Sequence, residues 1–130
     1  MPYLLDSNIV IAIFAGEQSV LDEVSRAEQS SKVRVPTVVL GELYYGALKS
    51  AKPTENSHRV MALETRAVIV GCDAHTAHMY GTIKDALRTK GRPVPDNDIW
   101  IAALAMQHNL DLVSRDAHFN EVAGLRITTW

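Results

Sequence analysis

Short, almost wholly apolar segments recur along this chain, each followed by a stretch with helical spacing. Tyr3-Leu4-Leu5, Val33-Arg34-Val35, Val68-Ile69-Val70 and Leu110 to Ser114 are the clearest, and a fifth lies near Leu125 to Thr128. A strand with one wet face alternates apolar and polar side chains, whereas a strand buried on both faces reads as a continuous apolar run. Strand–helix alternation of the second kind predicts a single α/β domain over residues 1–130. Its central parallel sheet of four to five strands is covered by helices on both faces. At 130 residues the chain suffices for one sizeable core and is short for two.

The helices fall between these strands. One follows Asp6-Ser7-Asn8, a second covers 17–30, a third opens at Pro36-Thr37 and runs to about Ser50, and a fourth starts at Pro53. Asp73 is placed to cap a fifth, from Ala74 to about Thr89. GRPVPDN then reads as a loop, with Asp96 or Asn97 capping a buried helix IWIAALAMQH. A short turn around His118 and Phe119 leads to the last strand.

Hydrophobic residues at 47% and charged residues at 22% exclude a disordered chain. A net charge of −2 is wrong for a non-specific nucleic-acid binder, so contact with a polyanion must be local or metal-mediated. The lone Cys72 has no disulfide or zinc-site partner of its own kind, which favours a reducing compartment. Ile9 to Ala15 is too short an apolar run to span a bilayer, and Asp6 stands where a signal peptide carries positive charge. The expectation is a cytoplasmic protein with no membrane partner.

In open α/β sheets, ligands bind beyond the carboxyl ends of the strands. Asp6 and Asp116 fall at or just after such ends, and Asp73 follows one at greater distance. Each taken singly is a turn former or a cap. Glu42 is harder to house: it is the only charged residue between Thr37 and Leu48, on a helix apolar nearly all round. An ionised carboxylate there costs several kcal/mol unless a cation or hydrogen bonds meet it. In PDNDIWIAA, Asp98 would fall in a first helical turn, yet three polar groups in a row exceed what a cap needs.

Asp6, Glu42, Asp98 and Asp116 gathered together would repel one another without a cation. All four offer hard oxygens, with no cysteine or histidine in the pattern, a set that selects Mg²⁺ or Mn²⁺ over zinc or copper. The chemistry that follows is phosphodiester hydrolysis with one or two ions.

With LLDSN, GELYYGA, PDNDIWIAALA, LVSRDAHF and a terminal GL…W in this order, the sequence resembles the PIN-domain ribonucleases, and among them the VapC-type toxins of bacterial toxin–antitoxin pairs. The resemblance spans essentially the whole chain. It implies that Asp6, Glu42 and Asp98 hold the metal, with Asp116 as a fourth acidic position. Asn8, Ser114 and Asp96 are then hydrogen-bonding partners behind these ligands; Ser114 stands where relatives more often have threonine, and Ser7 where many have threonine too. Asp96 is also a possible competitor for the metal, although the family pattern favours Asp98. The resemblance further implies a Mg²⁺-dependent endoribonuclease that cuts tRNA or rRNA and so stops translation, a homodimer, and a cognate VapB antitoxin covering the site. The apolar helix around Leu40, Leu43 and Tyr44 suits the protein's own core, a dimer contact or an antitoxin contact.

Lys84, Arg88, Lys90 and Arg92 lie just upstream of the acidic loop. Arg88 and Arg92 are candidates for RNA phosphate contacts, while Lys84 fits a solvated helix end. His75 and His78, at i, i+3 spacing, lack a second ligand pair, and Trp100 and the methionines read as core. A receiver-type signalling domain is disfavoured because Asp6 is followed by Ser7-Asn8 and LDLVSRD supplies arginine instead of a strand-end lysine. A non-catalytic RNA- or antitoxin-binding relative is the other alternative, and four retained acidic positions argue against it.

Overall fold

A computed structural model describes residues 2–130. The elements in order are β1 (Tyr3–Leu5), α1 (Ser7–Phe14), α2 (Gln18–Glu28), β2 (Arg34–Pro36), α3 (Thr37–Leu48), α4 (Pro53–Arg66), β3 (Val68–Val70), α5 (Ala74–Lys90), α6 (Asp96–Gln107), β4 (Asp111–Val113), a 3-10 turn (Ala117–Glu121) and β5 (Ile127–Thr128). All five strands pair in parallel, in the order β3-β2-β1-β4-β5.

Successive strand residues point to opposite faces of a sheet. Leu4 and Leu5 are both fully buried, as are Leu112 and Val113, so both faces of the central strands are covered. This is why those strands read as almost wholly apolar runs, with Asp111 at the start of β4 the exception. The chain starts at the centre, builds outward through β2 and β3, then returns to β4 on the other side of β1. The reversal falls between β1 and β4, and beyond the carboxyl ends of such a strand pair the outgoing segments diverge and leave a crevice.

Boundaries shift in two informative places. β2 starts at Arg34 and extends through Pro36, which is also the extended residue before α3. More consequentially, α6 begins at Asp96, three residues earlier than the apolar pattern suggests, with Pro95 as the cap residue and no side-chain cap. The expected capping role of Asp96 or Asn97 is therefore not observed. Pro95 is already extended (φ −54°, ψ 144°) and its carbonyl accepts from Asp98 and Ile99 at 3.0 and 3.2 Å, so the chain turns helical one step sooner. Gly91, in the left-handed region at φ 72°, ends α5 and turns the chain towards this start.

α3 presents Val39, Leu40, Leu43 and Ala47 to the core, while Tyr45 and Leu48 are each 66% exposed. Trp100, expected in the core, is only half-buried and stacks on Tyr80 at 4.0 Å; Met61 is likewise exposed. Among the described residues, no helix is long and apolar enough to cross a membrane.

Candidate active site

The crevice between β1 and β4 is built from what leaves the two strands. Leu5 and Val113 are register partners, and the Asp6 amide donates to the Val113 carbonyl at 3.0 Å. Asp6 and Ser114 therefore emerge side by side. Both are buried, a rare condition for an aspartate unless its oxygens are met. They are met here: Oδ1 accepts the Ser7 amide at 2.8 Å, which makes Asp6 the cap of α1, and Oδ2 accepts the Ser114 hydroxyl at 2.7 Å and the Asn8 amide group at 3.3 Å. Asn8 in turn accepts the Arg115 amide at 3.2 Å, and Ser114 Oγ accepts the Asp116 amide at 3.0 Å. One small network thus couples the ends of both strands to the backbone that carries Asp116.

The other two acids come from helices flanking the crevice. Glu42 lies half-buried on α3, with the polar side chains of Ser7 and Asn97 near enough to favour its charged form. Asp98 is in the first turn of α6, half-buried. The acids are electrostatically coupled. Burial, then the charges of Asp116 and Asp6, push the Asp98 carboxyl up to about 6; His118 opposes that rise and Glu42 adds to it. Burial also raises Asp6, against the hydrogen bonds from Ser114 and Ser7 and with a further push from Asp116. Glu42 is raised by burial and by Asp6, with Ser7 and Asn97 pulling the other way. Three carboxyl groups whose charged forms are opposed by burial and by neighbouring acids are chemically suited to a divalent cation.

Asp96 does not join them. It is exposed, accepts from Lys84 Nζ at 2.9 Å and Tyr80 Oη at 3.0 Å, and these partners hold its carboxyl below the ordinary range. As the first residue of α6 it projects sideways towards α5, so the Lys84 ammonium answers this acid as well as the helix end. Asp73 and Thr76 form a reciprocal cap on α5, and His75 and His78 are exposed on that helix. Arg88 pairs with Asp85 at 2.7 Å and Arg92 is exposed. Both line, with Leu87, Val94 and Ile99, a cavity of about 640 Å³ beside the start of α6.

Three residues lie beside the acids without having been expected there. Ser7 and Asn97 meet Glu42. His118 Nδ1 lies 3.1 Å from Asp116 Oδ1 and 3.5 Å from Asp98 Oδ2, so an imidazole stands beside the acids. The spacing Asp116-x-His118 in RDAHF was the available signal.

A parallel sheet in this order, with acids from two strand ends and two helices converging at its reversal, defines a PIN domain. The PIN-domain family matches residues 3–125, and the chain belongs to it. Within that family it stands with the VapC ribonucleases. It is 36% identical over 132 residues to ribonuclease VapC2 of Haemophilus influenzae, covering 100% of this chain and 98% of that protein. It is 32% identical over 131 residues to the tRNA(fMet)-specific endonuclease VapC of Shigella flexneri, with the same coverage. Among solved structures, the VapBC2 complex of Rickettsia felis bound to a DNA fragment from its promoter has a chain that superposes with a TM-score of 0.94. The pair is 28% identical, and the match covers 100% of this chain and 99% of that one.

Proposed function

We propose that residues 1–130 form one PIN domain acting as the endoribonuclease toxin of a toxin–antitoxin pair. The observation that carries this reading is the placement of buried Asp6 at the sheet's reversal, tied through Ser114 to the backbone of Asp116, whose carboxylate lies close to that of Asp98. Asp6, Asp98, Glu42 and Asp116 would hold Mg²⁺, with Mn²⁺ as a substitute. When bound, the cation supplies the charge that polarises a scissile phosphodiester and favours deprotonation of an attacking water. Asn8 and Ser114 hold Asp6 and the Asp116 backbone in position, and the exposed side of Asp116 leaves an approach for substrate. Arg88 and Arg92 would meet RNA phosphates next to the site, which lets an acidic protein accept a polyanion.

The substrate would be tRNA or rRNA, cut so that translation stops; the name of the Shigella relative supports tRNA. A VapB-type antitoxin would cover the site, as the VapBC complexes among the structural relatives suggest. A surface suited to it starts at Glu42, where Ile11, Phe14, Leu43 and Val60 line a cavity of about 280 Å³. Ile11, Tyr45, Leu48 and Met61 are 53–66% exposed, more apolar surface than a free-standing chain gains by showing. A homodimer in the cytoplasm completes the reading.

The test is to purify the protein free of any partner and incubate it with total cellular RNA. Cleavage is expected with Mg²⁺, none with a chelator, and loss in both Asp6→Asn and Asp98→Asn. Wild-type activity in Asp98→Asn would overturn the site. Sequencing the new RNA ends identifies the target.

A further inference from the structure

We infer that the His118 imidazole is a metal ligand of this site, joining Asp98 and Asp116 in a mixed nitrogen–oxygen donor set. The inference rests on the carboxylate metal-site reading and adds to it a residue that the acidic pattern does not contain.

The placement follows from the chain. Asp116 Oδ1 accepts the His118 amide at 2.9 Å, closing a tight turn that starts the 3-10 segment. Phe119 is fully buried and anchors that turn in the core. With its backbone pinned on both sides, His118 keeps Nδ1 beside the two acids while the rest of its ring stays open to solvent. One donor atom each of Asp98, Asp116 and His118 lies within 4.8 Å of the others, the only such trio of potential ligands among the described residues. The 3.1 and 3.5 Å separations from Nδ1 to the two carboxylate oxygens are close to the edge of an octahedron. Metal–ligand bonds of about 2.1 Å put adjacent octahedral donors roughly 3 Å apart.

A ring nitrogen changes which ion the site prefers. Mg²⁺ is a hard ion that takes oxygen donors and keeps its waters. Transition ions gain more from imidazole, increasingly from Mn²⁺ through Co²⁺ to Ni²⁺. His118 therefore gives Mn²⁺ an advantage over Mg²⁺ that four carboxylates alone would not.

Pulsed EPR of Mn²⁺ added to the metal-free wild-type protein reads this directly. A coupled nitrogen is expected, and ¹⁵N-histidine labelling should convert its signature. In His118→Gln the coupling disappears and Mn²⁺ binding weakens about tenfold or more, on the scale of losses at metal-site partners. Mg²⁺ affinity, measured by competition, changes several-fold less. Because the His118 side chain is 54% exposed, the variant is expected to fold, and the wild-type spectrum needs no variant at all. Mn²⁺ that binds through Asp98 without a nitrogen coupling overturns the His118 assignment and leaves the carboxylate site standing. Mn²⁺ binding that is indifferent to Asp98→Asn overturns both. Equal losses for Mn²⁺ and Mg²⁺ in His118→Gln overturn the selectivity argument.

Discussion

The Ser114 hydroxyl donates to Asp6 Oδ2 at 2.7 Å across the point where the chain reverses its direction of sheet growth. These two residues lie 108 positions apart, yet parallel pairing of β1 with β4 makes them neighbours. The same Ser114 oxygen accepts the Asp116 amide at 3.0 Å, so one hydroxyl orients one acid and the backbone of another. Asp6 has a second task, because its other oxygen caps α1.

Removing that hydroxyl should loosen both acids. Ser114→Ala is expected to lower divalent-metal affinity and RNA cleavage by about 10–100-fold, the usual cost of losing a group that orients a ligand. Ser114→Thr keeps the hydroxyl and should stay within about threefold of wild type, provided the added methyl is accommodated at this buried position. Metal titration and cleavage assays on the same preparations check this; an alanine variant with wild-type affinity would refute the orienting role.

The carboxylate cluster should make the metal-free fold less stable as pH rises. The Asp98 carboxyl sits at about 6 in the folded protein, above its ordinary 3.8. A raised folded-state pKa contributes stability below the unfolded value, and that contribution is lost as pH climbs through the folded one. Asp6 and Glu42 are shifted the same way and add to the trend. In metal-free protein, Asp98→Asn should therefore raise Tm at pH 7.5 relative to wild type, with the difference shrinking towards pH 4. Added Mg²⁺ or Mn²⁺ should raise the wild-type Tm more at pH 7.5 than at pH 5. Thermal melts across this range decide it, and parallel pH profiles for variant and wild type would count against the coupling.

Legibility in the sequence followed the physics of each feature. Strands buried on both faces announce themselves as apolar runs, so the parallel sheet was readable. Acids at strand ends and in a poorly housed helical position were readable because their burial needs a reason. What escaped depends on side-chain direction. Whether a polar residue before an apolar run caps the helix or lies inside it is decided by the backbone of Pro95, and no residue type encodes that alone. His118 escaped because a turn next to a buried phenylalanine keeps Nδ1 beside the acids, which is a consequence of packing. The apolar helix around Leu40, Leu43 and Tyr44 suited core and interface alike, and only the packed structure shows that Leu40 and Leu43 face inward while Tyr45 and Leu48 face outward.

Asp96 and Asp98 are two residues apart and should behave oppositely. Asp96→Asn removes the partner of Lys84, an exposed, solvent-screened pair whose loss should hardly change stability. Metal affinity should hardly change, since Asp96 points towards α5. Asp98→Asn should abolish measurable binding at the same metal concentrations. Calorimetric titration of both variants separates them, and a large loss in Asp96→Asn would bring that acid back to the metal.

Arg88 and Arg92 line the same cavity but start from different electrostatic situations. The Arg88 guanidinium already lies 2.7 Å from Asp85, so offering it to an RNA phosphate means giving up part of an existing pair. Arg92 stands on the loop after Gly91, exposed, and lines a cavity with Val94 and Ile99 near the start of α6. Each phosphate neutralised by a cation releases counterions, so binding weakens with salt in proportion to such contacts. Arg92→Glu should raise KM for RNA and lower the slope of log affinity against log salt by about one, while Arg88→Glu moves both less. Neither change touches the carboxylate cluster, so metal affinity serves as the internal control. An unchanged salt slope in Arg92→Glu would mean that the RNA backbone takes another path across the protein.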